Sequence, residues 1–204
     1  MSAVDSPGAS EQVAAQKTAL RDQLLTARHR RSLLELRADA EAVAEHLLAA
    51  PEVRRAATVA AYVSVGSEPG TGPLLEALLR AGRRVILPLL QPDGDLDWAA
   101  WSGTELVRAR RGLLEPTGAR LGREAVATAD VVLVPGLAVD RSGMRMGRGG
   151  GSYDRALGQV PVGTFTCVLL HEGEIQDRVP ADLHDRPVAA AVTPAGITRF
   201  PARA

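Results

Sequence analysis

VVLVPGLAVDRSGMRMGRGGGSYDRAL, residues 131–157, combines a buried strand, a glycine-rich loop and a helix start in one run. Residues 131–134 are all apolar and three of them are β-branched, the pattern of a strand covered on both faces. Pro135-Gly136 ends the strand, and a long polar loop follows with glycines at 143, 147, 149, 150 and 151. Arg145 and Arg148 are threaded among those glycines, and Arg155 stands just past them. SYDRAL then reads as the start of a helix with Ser152 as its N-cap. Glycines let backbone N–H groups converge on an anion, a helix start adds partial positive charge, and arginines supply forked donors. The run reads as a phosphate cradle.

Two common nucleotide fingerprints do not fit it. GxxxxGK[ST] fails because no lysine follows the glycines, and GxGxxG begun at Gly147 ends on Ser152. Strand entry, helix exit and Tyr153-Asp154-Arg155 at the helix start still favour a ligand site over a merely flexible loop. Asp154 suits the first turn of a helix electrostatically, and an acid beside polyphosphate is also what magnesium needs.

The chain as a whole bounds the alternatives. Its 204 residues suffice for one domain with a real core. Formal charge is zero, so it lacks the bulk basic field of nucleic-acid binders. A single cysteine, Cys167, excludes an internal disulfide and fits a reducing compartment; its apolar surroundings suggest a core residue rather than a nucleophile. The N-terminus has neither the basic nor the apolar region of a signal peptide, and no apolar run is long enough for a membrane span. A cytoplasmic protein without membrane or nucleic-acid partners is expected. Lys17 is the one lysine among 24 basic residues, which marks it as a place where a compact ammonium could be wanted.

Taken in order, residues 1–10 read as a disordered tail and residues 11–204 as a single domain. Residues 11–31 form a polar helix that brings Lys17, Arg21 and Arg28 near one face, with Arg28 expected at the surface. Ser32 caps a second helix through Ala49, which Pro51 closes. TVAAYV (58–63) is a short strand followed by the loop SVGSEPGT. A helix over 72–82 and a strand over 84–90, broken by Pro88, come next. PDGD is a turn, DWAAW a strand, and residues 104–111 an edge segment. Trp98 and Trp101 suit packing better than ligand stacking. Residues 162–170 and 188–193 are further strands, joined by a polar connection. His171 and His184 lack metal-ligand spacing and read as surface or hydrogen-bonded loop residues. This alternation predicts an α/β fold, an open and mostly parallel sheet with helices on both faces in three α/β/α layers. Ligands in such folds gather beyond the carboxyl ends of the strands, which would bring Glu68, Asp140 and the loop arginines together.

Five stretches in this order resemble the 5-formyltetrahydrofolate cyclo-ligase family: K-x-x-x-R at Lys17 and Arg21, YVSVGSEPGT, GLLEP, VPGLAVDRSGMRMGRGGGSYDR and LHDRPVAAAVT. The resemblance covers nearly the whole chain, and its long central motif is highly specific. It implies an enzyme that uses ATP and magnesium to turn 5-formyltetrahydrofolate into 5,10-methenyltetrahydrofolate, releasing ADP and phosphate. It implies that Lys17 and Arg21 bind the ATP phosphates, together with a loop of Arg145, Met146, Gly147, Arg148, Gly149, Gly150, Gly151, Ser152 and Tyr153. Folate contacts fall by the same resemblance on Val63, Glu68, Arg148, Gly151 and Tyr153, and the magnesium-linked acids on Asp154 and Asp185. Lys17, Arg145 and Tyr153 are the catalytic candidates, and a monomer or weak homodimer is expected. Ser152 stands where the family commonly has an aromatic, Pro69 where it has an aliphatic residue, and Ala189 where an acid is frequent.

Two other readings use the same residues differently. A member of the family that binds nucleotide or folate without turnover would serve as a sequestering protein. A sugar-phosphate or acyl-CoA enzyme on a similar sheet would hold another phosphate in the glycine loop and would not couple ATP hydrolysis to folate.

Overall fold

In the computed structural model, which describes the backbone of residues 7–201 and the side chains of residues 11–201, the chain begins with two long helices. α1 spans Pro7–His29. Residues 7–10 of the expected tail are helical, and residues 1–6 and 202–204 lie outside the described residues. α2 spans Leu33–Ala49 and starts where the sequence places it. The Ser32 hydroxyl accepts from the Glu35 N–H at 3.2 Å, and the Glu35 carboxylate accepts from the Ser32 N–H at 2.7 Å. This reciprocal cap satisfies two donors that a helix start otherwise leaves unpaired. Pro51 does not merely close α2; it opens α3, Pro51–Arg55, at the helix position where a missing N–H costs nothing.

The strands follow as β1 (Thr58–Ala60), then α4 (Gly72–Arg80), β2 (Arg84–Leu90), β3 (Leu96–Trp101), and the short β4 (Leu106–Arg108) and β5 (Leu114–Pro116). Beyond a 3-10 turn at Arg123–Thr128 come β6 (Val131–Pro135), β7 (Ala138–Asp140), β8 (Arg145–Met146) and α5 (Ser152–Leu157). The chain finishes with β9 (Phe165–Leu169), β10 (Ile175–Gln176), β11 (Ala190–Thr193) and β12 (Gly196–Arg199). Seven strands form the main sheet in the order β12-β11-β9-β6-β1-β2-β3. The five inner strands run parallel, and β3 and β12 close the two edges antiparallel. β12 was not expected from the sequence. Pro88 does not break β2: β1 has ended opposite Ile86, so Pro88 has only β3 beside it and interrupts no central ladder.

Alternation along β6 sets the layers. Val131 and Leu133 join the core under α2, α3 and α4, whereas Val132 and Val134 join the core under α5 and the 3-10 turn. Both sheet faces are thus covered, the second by shorter pieces than the first. Fully buried Leu47, Leu74, Leu78 and Leu87 anchor the first layer, and each such side chain contributes about 1.5–3 kcal/mol of transfer free energy. Cys167 is fully buried in that core. Trp98 and Trp101 pack against opposite cores, since a spacing of three puts them on different faces. None of the described helices is long and apolar enough to cross a membrane.

Arg28 departs from the expectation of a surface residue: it is 1% exposed. Its Nε and Nη2 donate to the two oxygens of Glu174 at 2.7 Å each, and Nη2 also donates to the Gly136 carbonyl at 2.7 Å. Glu174 accepts in addition from the His171 N–H at 2.8 Å. The His171 ring, also fully buried, spans Asp39 (Nδ1, 2.8 Å) and the Ser67 carbonyl (Nε2, 3.1 Å). A guanidinium can be taken out of water here because a forked carboxylate and a carbonyl occupy its Nε and Nη2 donors. This chain of bonds ties α1 to the loops that follow β6, β9 and β1.

Candidate active site

Beyond the carboxyl ends of β1, β2 and β6 lies a cavity of about 1000 Å³. Its wall contains every residue singled out as a site candidate: Lys17, Arg21, Val63, Glu68, the run from Arg145 to Tyr153, Asp154 and Asp185. Asp140 is the exception among the residues expected to gather there. Its Oδ1 accepts from the backbone of Ser142 (2.8 Å) and Met144 (3.1 Å), holding the β7–β8 turn instead of facing a ligand.

The glycine loop is shorter than the sequence suggests, because β7 and β8 fold its first half into a hairpin and bury Arg145 and Met146. From Gly147 onward each glycine faces a guanidinium. A Cβ would stand 2.8 Å from Arg145 Nη1 at Gly147, 3.3 Å from Arg21 Nη2 at Gly149, 3.5 Å from Arg111 Nη1 at Gly150 and 2.9 Å from Arg155 Nη1 at Gly151. Side chains on the loop would push these cations away from the backbone they crowd. Gly149 (φ 94°) and Gly151 (φ 68°) also adopt backbone conformations that other residues rarely hold. Gly151, not Ser152, is the residue preceding α5, and Ser152 makes no side-chain cap; the left-handed glycine starts the helix unaided.

Lys17 and Arg21 enter from α1. The Lys17 Nζ donates to Asp185 at 2.6 Å and Asp182 at 2.8 Å. Burial disfavours its charge, yet the hydrogen bonds and charges of the two acids prevail and hold the ammonium above the ordinary lysine range. Arg21 Nε donates to the Gly147 carbonyl at 3.2 Å and so braces the loop from outside. The Arg145 guanidinium, 3% exposed, donates to Asp154 Oδ1 at 2.8 Å and to the Pro135 carbonyl at 3.2 Å, while its Nε is a buried donor with no partner among the described residues.

The opposite wall is built by the loop after β1. Ser64 and Thr71 close it through reciprocal side-chain to backbone bonds of 3.0 and 3.1 Å. Gly70 fits there because a Cβ would meet Ala40 Cβ at 2.7 Å. Within this loop Glu68 accepts from the Val65 N–H at 2.9 Å and faces Arg148 at 3.6 Å across the cavity. Burial raises the Glu68 carboxyl above its usual range, and the Val65 hydrogen bond and the Arg148 charge offset only part of the rise. Burial likewise pushes the Tyr153 phenol up, helped by the Glu68 charge. Tyr62, expected within the strand at 58–63, lies just past the end of β1; it lines the cavity, and its hydroxyl is buried without a partner among the described residues. Arg111, Leu113, Leu114, Asp182, His184 and Arg186 also line the cavity. GLLEP hinted at the two leucines and LHDRPVAAAVT at His184 and Arg186, whereas nothing local in the sequence marked Asp182.

Among the described residues no group of three or more His, Cys, Asp or Glu side chains forms a metal cage. Magnesium asks for less, one or two carboxylates with water and phosphate oxygens supplying the rest. Asp154 and Asp185 fit that demand: their Oδ1 and Oδ2 atoms respectively are engaged by protein donors, which leaves each acid a second oxygen beside the cavity.

Residues 13–194 match the 5-formyltetrahydrofolate cyclo-ligase family. The 5-formyltetrahydrofolate cyclo-ligase of Mycolicibacterium smegmatis is 44% identical over 142 residues, covering 67% of this chain and 73% of its own. That of Escherichia coli is 35% identical over 163 residues, covering 76% and 87%. The NMR structure of Aquifex aeolicus 5,10-methenyltetrahydrofolate synthetase superposes with a TM-score of 0.79 at 29% identity, over 92% of this chain and 95% of that one. Cavity, motif order and these similarities agree, and the chain belongs to the 5-formyltetrahydrofolate cyclo-ligase family.

Proposed function

We propose that this chain converts 5-formyltetrahydrofolate to 5,10-methenyltetrahydrofolate at the expense of ATP, with magnesium. The observation that carries the reading is the meeting of two unlike walls in one cavity. Lys17, Arg21 and the glycine loop suit a polyphosphate, and the Val63–Glu68 side offers the partly desolvated Glu68 carboxylate as an acceptor for the N–H donors of a flat heterocycle.

A formamide carbonyl is a poor electrophile because the nitrogen lone pair stabilises it. In the proposed sequence the formyl oxygen attacks the γ-phosphorus of ATP, forming an O–P bond as the bond to the β-phosphate oxygen breaks and ADP leaves. The amine nitrogen at position 10 then adds to the activated carbon and loses its proton. The C–O bond breaks last, releasing phosphate and closing the ring. Phosphoryl transfer asks a protein mainly for positioning and charge neutralisation. Lys17, Arg21, Arg148 and the loop amides hold the phosphates, each charge-assisted hydrogen bond contributing about 1.5–3 kcal/mol. Arg145 orients Asp154 and places its positive charge beside the transferring group. Glu68 accepts from N–H donors on the pterin edge, and Tyr153 packs between the two substrates. Asp154 and Asp185 would hold magnesium, which neutralises phosphate charge when bound.

The test is a spectrophotometric assay for the methenyl product from 5-formyltetrahydrofolate, with and without ATP and magnesium. Product only when both are present is expected. Tight ATP binding with no product would instead favour the sequestering role.

A further inference from the structure

β4 and β5 are joined by a tight turn closed by the Leu113 N–H to the Arg110 carbonyl (3.2 Å) and the Ala109 N–H to the Leu113 carbonyl (2.9 Å). Its two central residues, Arg111 (φ 58°, ψ 22°) and Gly112 (φ 74°), both have left-handed backbones. Two successive positive φ angles make the hairpin turn whose first central position is normally Asn, Asp or Gly, because longer side chains crowd the backbone there. Arg111 is the only non-glycine residue with a positive φ among the described residues.

Nothing in the turn repays this choice. Among the described residues the Arg111 guanidinium has neither a carboxylate nor a hydrogen-bond partner. It lines the cavity instead, with Nη1 beside Gly150, while Arg21 Nη2 stands beside Gly149. Two cations from distant parts of the chain therefore flank two consecutive glycines, and among the described residues no acid pairs with either. Strained residues in otherwise regular turns concentrate where a ligand, and not the fold, needs the side chain.

We propose that Arg111 is an anion-binding residue of this cavity, reaching from the β4–β5 turn across the glycine loop to the phosphate chain of a bound nucleoside triphosphate. The inference rests on the reading of the cavity given above. The planar fork of arginine bridges two phosphate oxygens at once, which neither Asn nor Gly can do. A carboxylate of the folate substrate is the other anion within the same chemistry, and the arms of the experiment separate the two.

Arg111→Gly, Arg111→Asn and Arg111→Lys are compared with wild type by thermal unfolding, by calorimetric ATP binding and by the Michaelis constants for ATP and folate. Gly and Asn are expected to unfold at the wild-type temperature or above it, since both suit the turn. Their ATP dissociation and Michaelis constants should rise roughly tenfold or more, with folate constants within about twofold of wild type. Lys should recover part of the ATP affinity. Unchanged ATP binding in the Gly and Asn variants would overturn the inference, as would a rise confined to folate. If wild type binds ATP but makes no methenyl product, the functional reading fails while the ATP arm still decides Arg111; if wild type binds no ATP, both fail.

Discussion

Replacing Arg28 by methionine tests the buried ion pair that ties α1 to the rest of the fold. Arg28 and Glu174 have side chains 1% and 6% exposed, joined by two bonds of 2.7 Å, and water cannot replace the guanidinium. Methionine is close enough in length to fill the space of the aliphatic stem. Glu174 then keeps a single donor, the His171 N–H, and the Gly136 carbonyl loses its partner. Breaking one side of such a pair costs about 3–5 kcal/mol, most of it the penalty of an uncompensated buried charge. With a urea m-value near 3 kcal/mol/M, the unfolding midpoint should fall by roughly 1–2 M. Adding Glu174→Gln to Arg28→Met removes the stranded charge and retains an acceptor for His171, so about half of the loss should return. The measurement is urea unfolding followed by circular dichroism for wild type, single and double variants. A single-variant loss below about 1 kcal/mol, or a double variant no better than the single, would refute the reasoning.

Lys17→Met should raise the Michaelis constant for ATP roughly tenfold or more and leave that for folate almost unchanged; steady-state kinetics with each substrate varied decide this, and equal ATP constants would remove Lys17 from the phosphate site. Glu68→Gln should weaken folate by about 10- to 100-fold yet stabilise the protein at neutral pH. Burial raises the folded Glu68 pKa above its unfolded value, so the ionised carboxylate costs stability at neutral pH, and the cost disappears as pH falls through the raised value. The stability advantage of glutamine should accordingly narrow in acid; a variant less stable than wild type at neutral pH would show that the charge is well compensated.

Much of this architecture could be read from short-range pattern. The apolar run at 131–134, the Ser32–Glu35 cap and the strand at 84–90 follow from periodicity and hydrogen-bonding chemistry acting over a few residues, and the structure keeps all three. The glycine loop reads as suited to an anion for the same reason, since glycine spacing and helix starts are local properties. Its first half differs: alternation over residues 138–146 is too brief to distinguish a hairpin from a loop, and Asp140, expected to gather with the site, instead bonds its own backbone neighbours in the turn. β12 was missed for a related reason, as four residues of which none is buried carry little hydrophobic signal and depend on pairing with β11.

Residue types and their order thus suffice to specify a parallel sheet, a phosphate-suited loop and the family to which the chain belongs. Partner choice across long separations is what they do not specify. Arg28 finds Glu174 146 residues away, Lys17 finds Asp182 and Asp185 more than 160 residues away, and Tyr62 buries its hydroxyl without a partner among the described residues. Whether an arginine meets solvent, a carboxylate or a ligand depends on which surfaces the sheet brings together. Desolvation and pairing, which set its energy, exist only once those surfaces have met.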